Sequence, residues 1–248
     1  MDCSISVIIA CLNEEENVGA TCQNVLTALN EAGLDDYEIM IFDDGSTDRT
    51  GAIADDIAAG NPKVKVIHNG TNRGFGYNFK RGIELATKTY VAIFPGDNEI
   101  APFSIKRILS FVGRADIVIP HTINMEIRPY GRRFLSRLFT MIMNSIFCCE
   151  LQYYNGPCVH RRDLLNKIGV NTSGFAFQAV TLTKLILSGY SFIEVEMYLQ
   201  PKPSYRSSAL KWRNVARVVG SLLKLVREIY FDPVFKRVDK IRREQPQN

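Results

Sequence analysis

The stretch IFDDGSTDRTG, residues 41–51, places two adjacent aspartates, Asp43 and Asp44, directly after an apolar run. Residues 37–42 (YEIMIF) have the nearly continuous apolar character of a strand that is buried on both faces. The glycine and the short polar residues that follow are typical of a turn that leads into a helix. The stretch therefore predicts a buried strand that carries two carboxylates at its end, beside the start of a helix.

The same alternation runs through the first hundred residues. Apolar segments predict strands at 4–10, 37–42, 63–67 and 89–94, and helical spacing predicts helices at 13–29, 47–59 and 76–87. This order favours βαβ units in an α/β fold, with a mainly parallel sheet flanked by helices. Ligands bind such sheets at the carboxyl ends of the strands. Polar clusters stand there, at Asn13-Glu14, Asp43-Asp44 and residues 96–99.

Beyond residue 115 the pattern is looser. It predicts strands at 116–120 and 190–199, and helices at 134–149, within 158–168, at 174–188 and at 209–243. Residues 202–248 hold twelve Lys and Arg against four Asp and Glu, a net +8, which leaves −4 for residues 1–201 in a chain of net charge +4. We therefore expect a catalytic domain over 1–205 and a basic amphipathic helical tail over 206–248.

Composition sets broad limits on the class of protein. With 248 residues and 46% hydrophobic residues, the chain is long enough to bury a large core. The first residues lack a basic segment before an apolar one, and no run of ~18 apolar residues occurs, so neither a secretory signal nor a membrane span is expected. The six cysteines show no metal-binding spacing, which favours reduced core thiols and a cytoplasmic location.

Two acidic clusters are candidates for chemistry. Asp43, Asp44 and Asp48 fit a divalent cation or a nucleoside, whereas Ser46 or Thr47 between them fits a simple helix cap. The second cluster, FPGDNE at 94–99, supplies oxygen ligands of the kind that Mg²⁺ or Mn²⁺ prefers, and its Pro-Gly pair also fits a type II turn. The residues alone leave these alternatives open.

Four motifs in order carry a resemblance to a known family: VIIACLNEEENV (7–18), IFDDGSTDRT (41–50), NRGFGYNFKRGIELA (72–86) and VAIFPGDNEIAP (91–102). Over about residues 4–200 the chain resembles the family-2 glycosyltransferases with the GT-A fold, in particular the dolichyl-phosphate and polyprenyl-phosphate sugar transferases. Any one motif would be weak evidence, but their order and spacing together are specific.

The resemblance implies a site for a nucleoside-diphosphate sugar. The donor-binding residues it implies are Ala10, Leu12, Glu14, Asp43, Asp44, Arg73, Gly96 and Asp97. Asp97 takes the place of the last aspartate of the family's DxD motif, and Glu99 that of a metal ligand two residues on. Pro95 replaces the first aspartate, so we expect a weakened Mg²⁺ or Mn²⁺ site that depends on substrate phosphates. Leu12 replaces an aromatic residue, which weakens stacking on the base.

The lack of a carboxylate at the family's general-base position indicates the class of acceptor. Where the family carries a general base, this chain reads GFAFQ at 174–178, without a carboxylate. A lipid phosphate is already anionic and needs no base, whereas a sugar hydroxyl does. The pattern favours a polyprenyl phosphate, although Glu194 is an alternative base.

Anionic substrates call for cations, and arginine binds phosphate oxygens through two N–H groups at once. We expect Arg128 and Arg133 to act with Asp97 in catalysis, and Arg132 to bind the acceptor phosphate. Arg137 belongs to the same group, and the acceptor set extends to His160, Arg161 and Arg162. The family's phosphate-binding arginine aligns with Thr122, and a solvated surface charge is the alternative interpretation of each cation.

Two amphipathic stretches suggest contact with a membrane surface. Helical spacing in the tail predicts two opposite faces. The apolar face would hold Val215, Val218, Val219, Leu222, Leu223, Val226, Ile229 and Tyr230. The basic face would hold Arg213, Arg217, Lys224 and Arg227. Residues 134–149 are too short to span a bilayer but fit its interface. Docking of either helix on the domain, or a dimer contact, explains the same patterns.

The leading hypothesis is an inverting glycosyltransferase that moves a sugar from a UDP- or GDP-linked donor to a polyprenyl phosphate at the cytoplasmic membrane face. Two alternatives are a glycosyltransferase that acts on a sugar hydroxyl and a nucleotide-sugar-binding protein without catalysis. Nucleic acid is not an expected partner, because aromatic residues do not alternate with the basic ones in the tail. A homo-oligomer is compatible with the sequence.

Overall fold

The computed structural model describes residues 3–169, 176–201 and 212–231. Its seven strands are β1 (Ile5–Cys11), β2 (Tyr37–Asp43), β3 (Val64–His68), β4 (Tyr90–Pro95), β5 (Ile117–Thr122), β6 (Val159–Arg161) and β7 (Phe192–Met197). Its eight α-helices are α1 (Val18–Glu31), α2 (Thr50–Gly60), α3 (Phe75–Leu85), α4 (Pro102–Leu109), α5 (Tyr130–Phe147), α6 (Arg162–Ile168), α7 (Phe177–Leu187) and α8 (Trp212–Phe231). A short 3₁₀ helix covers Met125–Ile127.

The strands form one sheet in the order β3-β2-β1-β4-β6-β5-β7. Strands β1 to β4 are mutually parallel, β7 is parallel to β5, and β6 runs antiparallel to both of its neighbours. This confirms the predicted mainly parallel sheet of a GT-A-like α/β fold. Since six strands point the same way, their carboxyl ends meet along one edge of the sheet.

Both faces of the sheet are covered, which explains the continuous apolar strands. All seven residues of β1 are buried. Ile5, Val7 and Ile9 face a core cluster that includes residues of α1, α2 and α4. Ile8 and Ala10 face a second cluster that includes residues of α3 and of α5 to α8. Strands with helices on both sides need apolar side chains at every position.

The sequence-based prediction missed helix α4, strand β6 and the short 3₁₀ helix at Met125–Ile127. Helix α4 begins with Pro102 at its first turn, a signal for a helix start that the pattern analysis did not use. Strand β6 is three residues long and lies inside the segment predicted as a short helix, because so short a strand shows no periodicity. Helix α2 begins at Thr50 rather than at residue 47.

The described part of the tail packs on the domain. Leu225 and Ile229 of α8 are buried in the second core cluster. Lys184 of α7 pairs with Glu228 of α8 at 2.7 Å, and the lysine side chain is only 10% exposed. The tail helix therefore continues the core, and the domain boundary at 205/206 stays a prediction. The remaining predicted tail, 206–211 and 232–248, lies outside the described residues.

The buried stripe of α8 differs from the predicted apolar face. Val218, Leu222 and Val226 do pack against the core, together with Leu225, which the prediction left out. Val219 and Leu223 are exposed, at 49% and 67%. The buried face is rotated relative to the predicted one because α8 packs against α7 and α5 along one side. Val219 and Leu223 therefore form an apolar strip on the exposed side. The predicted basic positions Arg213 and Arg217, and Val215 beside them, carry no described side chains.

Across the three described segments, no helix has both the length and the apolar character that crossing a membrane requires.

Candidate active site at the carboxyl edge of the sheet

The structure brings the predicted acidic clusters together at one edge. In the strand register, Cys11 at the end of β1 pairs with Asp43 at the end of β2, and Asp43 pairs with His68 at the end of β3. On the other side of β1, Ala10 pairs with Pro95 at the end of β4. The loops after these four strands therefore line one continuous edge.

The first two loops bind each other. The backbone N–H of Asn13 donates to Ser46 Oγ at 3.0 Å, and Asn13 Oδ1 accepts from the N–H of Thr47 at 2.8 Å. The N–H of Glu14 donates to Thr50 Oγ1 at 2.7 Å. Asn13 has a left-handed backbone, φ 55°, which turns the first loop back toward the second. The helix-cap interpretation of Ser46 and Thr47 is wrong, because Arg49 precedes α2 and no side-chain cap forms.

Two predicted donor contacts of the first loop differ in exposure. Ala10 is 9% exposed and Leu12 is 38% exposed. The side chain of Glu14 is half-buried and accepts a hydrogen bond from Asn17 Nδ2 at 2.9 Å. Leu12 is thus the apolar side chain that this loop presents to the edge of the sheet.

Asp43 is a buried carboxylate held from two sides. Its Oδ1 accepts from the N–H of Ser46 at 3.0 Å, and its Oδ2 lies 3.0 Å from Nδ1 of His68. Burial alone would raise the pKa of Asp43, but the bonds to Ser46 and His68 outweigh it and lower the pKa below the ordinary value. His68 also contacts Asp55 at 3.1 Å, and the hydrogen bonds to the two carboxylates raise its pKa. Asp43 therefore stays ionised and fixed in place.

Asp44 organises a third loop. Its Oδ1 accepts from Asn69 Nδ2 at 2.8 Å and from the N–H of Arg73 at 2.9 Å, and its Oδ2 accepts from the N–H of Gly74 at 2.8 Å. Both carboxylate oxygens thus shape the loop that carries Arg73. The guanidinium of Arg73 is exposed and lies 5.6 Å from the ring of Tyr77. Direct contact of Asp44 or Arg73 with a nucleotide stays a prediction.

Gly96 lets the loop after β4 approach β1. Its N–H donates to the carbonyl of Ala10 at 2.9 Å, and its carbonyl accepts from Thr21 Oγ1 at 3.0 Å. A Cβ at this position would lie 2.3 Å from Sγ of Cys11, so a larger residue would force Cys11 or the loop to shift. The next residue, Asp97, is half-buried and accepts from the N–H of Glu99 at 3.1 Å. Gly96 therefore acts through the backbone and positions Asp97.

Glu99 is bound by an arginine. Its Oε1 accepts from Nε and Nη2 of Arg128 at 3.2 and 3.0 Å, and Nη1 of Arg128 donates to the hydroxyl of Tyr153 at 3.1 Å. Burial alone would lower the pKa of Arg128, but Tyr153 and Glu99 raise it above the ordinary value. All three donor groups of Arg128 are engaged within the protein. The pair therefore holds the Asp97 loop against the segment that follows β5.

These residues fit a divalent cation through Asp97 and not through Glu99. No group of three or more His, Cys, Asp or Glu within the described segments is arranged to hold a metal ion. Mg²⁺ is commonly held by one or two carboxylates together with substrate phosphates, and Asp97 offers one. Glu99 as a metal ligand conflicts with its buried pair to Arg128, which sequence spacing did not reveal.

A cavity of about 580 Å³ opens beside this edge, at the end of β5. Arg133 and Arg137 of α5 line it, together with His121 and Thr122 of β5 and the ring of Tyr153. The other lining residues are Ile123, Met125, Glu126, Ser136, Thr140, Met141, Asn144, Ser145 and Gln152. Arg133 lines this cavity, and its predicted catalytic role stays a prediction, whereas Arg132 is half-buried and does not line it.

The sequence analysis did not select His121, and Thr122 entered only as the residue aligned with an arginine. Both stand at the carboxyl end of a predicted strand, the position that marked the acidic clusters in the first half of the chain. The same rule would have found them, because ligand sites of such sheets gather at this edge.

The assignment of His160, Arg161 and Arg162 to the acceptor is corrected by their position. Arg161 pairs in register with Tyr90, the first residue of β4, so these cations lie at the amino end of the parallel strands. Six residues of strand at ~3.3 Å each separate that end from the loop after β4 by roughly 20 Å. His160 is fully buried, and burial lowers its pKa to about 3. Arg161 is bound instead to Asp116 at 2.7 Å.

Both Gln178, at the family's base position, and Glu194, the alternative base, accept or donate hydrogen bonds within the protein. Gln178 is 3% exposed and donates to the carbonyl of Gly156 at 3.1 Å. Glu194 Oε1 accepts from the N–H of Gln152 at 2.8 Å. Gly174 and Phe175 of the predicted motif lie outside the described residues.

A mainly parallel sheet with polar loops and a cavity along its carboxyl edge is typical of α/β proteins that bind ligands at that edge. The family model of glycosyl transferase family 2 matches residues 6–169. The chain belongs to this family and is a glycosyltransferase, which confirms the predicted family and enzyme class.

Two relatives match most of the chain. The polyprenol monophosphomannose synthase of Mycolicibacterium smegmatis is 29% identical over 204 residues, which cover 76% of this chain and 74% of that protein. The undecaprenyl-phosphate mannosyltransferase of Micrococcus luteus is 27% identical over 205 residues, 77% of this chain and 81% of that protein. Both names agree with the predicted branch of the family.

Two solved structures share the fold. Glucosyl-3-phosphoglycerate synthase from Mycobacterium tuberculosis, in complex with Mg²⁺ and UDP, superposes with a TM-score of 0.67 at 17% identity, covering 90% of this chain and 79% of that chain. The mannosyltransferase from Pyrobaculum calidifontis, in complex with GDP-Man and Mn²⁺, has a TM-score of 0.63 at 16% identity, covering 96% and 73%. At these identities the likeness concerns the fold, which they confirm as GT-A-like.

Proposed function

We propose that this protein transfers a sugar from a nucleoside-diphosphate sugar to a polyprenyl phosphate with inversion at the anomeric carbon. The observation that carries the proposal is the cavity lined by Arg133, Arg137 and Tyr153, because Tyr153 is joined through Arg128 to Glu99 in the loop that presents Asp97. Two arginines suit a phosphate, because each guanidinium donates several N–H bonds in a fixed fork. The names of the two relatives, which refer to polyprenol monophosphomannose and undecaprenyl phosphate, support this acceptor.

The donor would bind over the ends of β1 and β2. Leu12 presents an exposed apolar side chain beside the rigid Asp43, and Asp44 holds the loop with Arg73 close by. These groups suit the base and the ribose, and the diphosphate would extend toward Asp97 at the end of β4, on the other side of β1. Solved neighbours with UDP and with GDP-Man support a nucleotide of this class and leave its base open.

Asp97 would hold Mg²⁺ or Mn²⁺ together with the donor diphosphate. The metal, when bound, supplies positive charge for the leaving nucleoside diphosphate. Arg133 and Arg137 would hold the acceptor so that one of its oxygens faces the anomeric carbon. That oxygen forms the new bond, and the electron pair of the broken bond leaves with the diphosphate. Arg128 would act as a positioning residue, because each of its three guanidinium nitrogens donates to Glu99 or Tyr153.

Exposed apolar side chains near the cavity support a membrane-surface location. On α5, Tyr130, Phe134 and Met141 are 77%, 56% and 59% exposed, and Met141 also lines the cavity. On α8, Leu223 and Phe231 are 67% and 74% exposed. We propose that these helices meet the cytoplasmic face of a membrane, with help from the basic tail of residues 202–248.

A transfer assay tests the proposal. Purified protein is given a panel of UDP- and GDP-sugars with Mn²⁺ and polyprenyl phosphate in vesicles, with and without an anionic lipid. We expect transfer from one donor, and a loss of about 10²–10³-fold in kcat for Asp97→Asn, because a charge-stabilising group is removed. Asp56→Asn, a change at an exposed aspartate of α2, serves as the matched control.

Two outcomes would contradict the proposal. Transfer to soluble saccharides, with none to the lipid phosphate, would assign the acceptor as a hydroxyl. Full activity of Asp97→Asn would remove Asp97 from the reaction.

A further inference from the structure

Three buried polar atoms without a hydrogen-bond partner meet at the cavity beside β5. Within the described segments, His121 Nδ1, Thr122 Oγ1 and Nε of Arg133 lack a partner, and all three residues line the cavity. His121 is only 9% exposed. Buried polar groups are normally hydrogen-bonded, so a cluster of exceptions calls for an external partner. Together with the arginines, these residues give the cavity a polar lining that fits a polar ligand.

The position of His121 follows from the strand. Ile117 and Ile119 share a core cluster with Met143 and Phe147 of α5. Since successive side chains of a strand alternate between faces, His121 lies on the same face, beneath α5. Thus β5 delivers an imidazole to the floor of the cavity at its own carboxyl end.

The groups described around His121 do not fix which nitrogen of its imidazole ring carries the proton. Its register partner on β7, Glu196, is paired with Arg107 at 3.0 Å. The cavity also presents Arg133 and Arg137 of α5, which donate hydrogen bonds and accept none, and Tyr153, whose hydroxyl accepts from Arg128. The carboxylate among the residues that line the cavity, Glu126, is exposed and lies on the 3₁₀ helix after β5.

We propose that His121 accepts the proton of the acceptor during transfer, an inference that rests on the proposed function. The proton of the acceptor P–O–H or C–O–H group moves to the imidazole. The oxygen electron pair forms the bond to the anomeric carbon, and the bond from that carbon to the diphosphate breaks with its electron pair. Histidine is the side chain most often used for this task. A phosphate monoester, with a second pKa of about 6, still carries such a proton in part of its population near neutral pH.

The pH profile of His121→Gln tests this role. With polyprenyl phosphate, we expect kcat/KM to fall about fourfold at roughly pH 5.5, where only about a quarter of the acceptor is a dianion, and to approach the wild-type value above roughly pH 8, where nearly all of it is. With a hydroxyl acceptor the loss would persist at every pH. Glu126→Gln tests the other proton acceptor of the cavity, and the matched control is Glu84→Gln, a change at an exposed carboxylate outside the cavity that should keep the wild-type profile.

Donor binding separates failure of this inference from failure of the proposed function. A thermal shift with UDP or GDP and Mn²⁺ should be the same for wild type and His121→Gln, because His121 lies at the acceptor side. If His121→Gln lowered kcat/KM equally at every pH with the lipid phosphate, through a raised KM, His121 would be a residue that binds the phosphate. That result would overturn the proposed proton transfer. Unchanged activity of His121→Gln, or a loss that appears only in Glu126→Gln, would overturn it as well. Transfer by the wild type to neither acceptor would refute the proposed function and this role together.

Discussion

The buried pair of Glu99 and Arg128 separates two roles for Glu99, that of a structural partner and that of a metal ligand. The two side chains are 10% and 7% exposed, and two N–H groups of Arg128 reach the same carboxylate oxygen at 3.0 and 3.2 Å. The change Glu99→Gln keeps the size of the side chain and removes its charge. Arg128 then stays buried without its counter-ion.

The expected cost is large for a single substitution. Removing one partner of a buried pair costs about 3–5 kcal/mol. For a domain of this size, roughly 2–4 °C in Tm per kcal/mol converts this cost to a fall of roughly 6–20 °C. Because glutamine retains a hydrogen-bond acceptor, we expect the lower half of that range.

Calorimetry of the wild type and Glu99→Gln, each with and without Mn²⁺ and nucleotide, measures both roles. The control is Glu84→Gln, which breaks the exposed pair with Arg81, whose side chains are 48% and 46% exposed. An exposed pair contributes about 0–1 kcal/mol, so the Tm of this variant should scarcely change.

An unchanged Tm of Glu99→Gln, combined with loss of the Mn²⁺-dependent stabilisation by nucleotide, would refute the reasoning. That result would make Glu99 a metal ligand and would leave the hydrogen bonds to Arg128 without energetic weight. A lower Tm with the Mn²⁺-dependent stabilisation intact is the outcome that we expect.

Two further predictions concern the donor edge. Gly96→Ala should lower stability by about 1–3 kcal/mol in chemical denaturation, because its Cβ would lie 2.3 Å from Cys11 Sγ, whereas Gly19→Ala, with open space around its Cβ, should not destabilise the protein. An unaffected Gly96→Ala would show that the β4 loop can move away from β1. The contact of His68 with Asp43 should stabilise the wild type over His68→Gln most between pH 3.8 and 6.5, the ordinary values of the two groups. Because the pKa of Asp43 is lowered on folding, its contribution to the free energy of unfolding is lost as the pH falls through the folded-state pKa of Asp43. Because the pKa of His68 is raised, its contribution is lost as the pH rises through the folded-state pKa of His68. Unfolding curves measured at a series of pH values will show both losses. A difference that does not vary with pH would contradict an ionic contact.

Much of the fold could be predicted because its signals are local. The apolar run before Asp43 and the helical spacing after it predicted strand, turn and helix, and repetition of that unit predicted a parallel sheet. The same logic placed Asp43, Asp44 and Asp97 at one edge, since all parallel strands end there. Strand β6 was beyond this reasoning, because three residues carry no period and its place between β4 and β5 depends on contacts far along the chain.

By itself, the sequence determined the fold class, the family and the edge of the sheet where chemistry takes place, because periodicity and motif order are encoded in neighbouring residues. Only the tertiary structure decided which side chains meet. It paired Glu99 with Arg128, twenty-nine positions away, and placed His121 under α5 in a basic cavity. It moved His160 and its neighbours to the opposite edge, because an antiparallel strand reverses the direction in which the chain delivers its side chains. Partner choice depends on distance and burial, and spacing along the chain specifies neither.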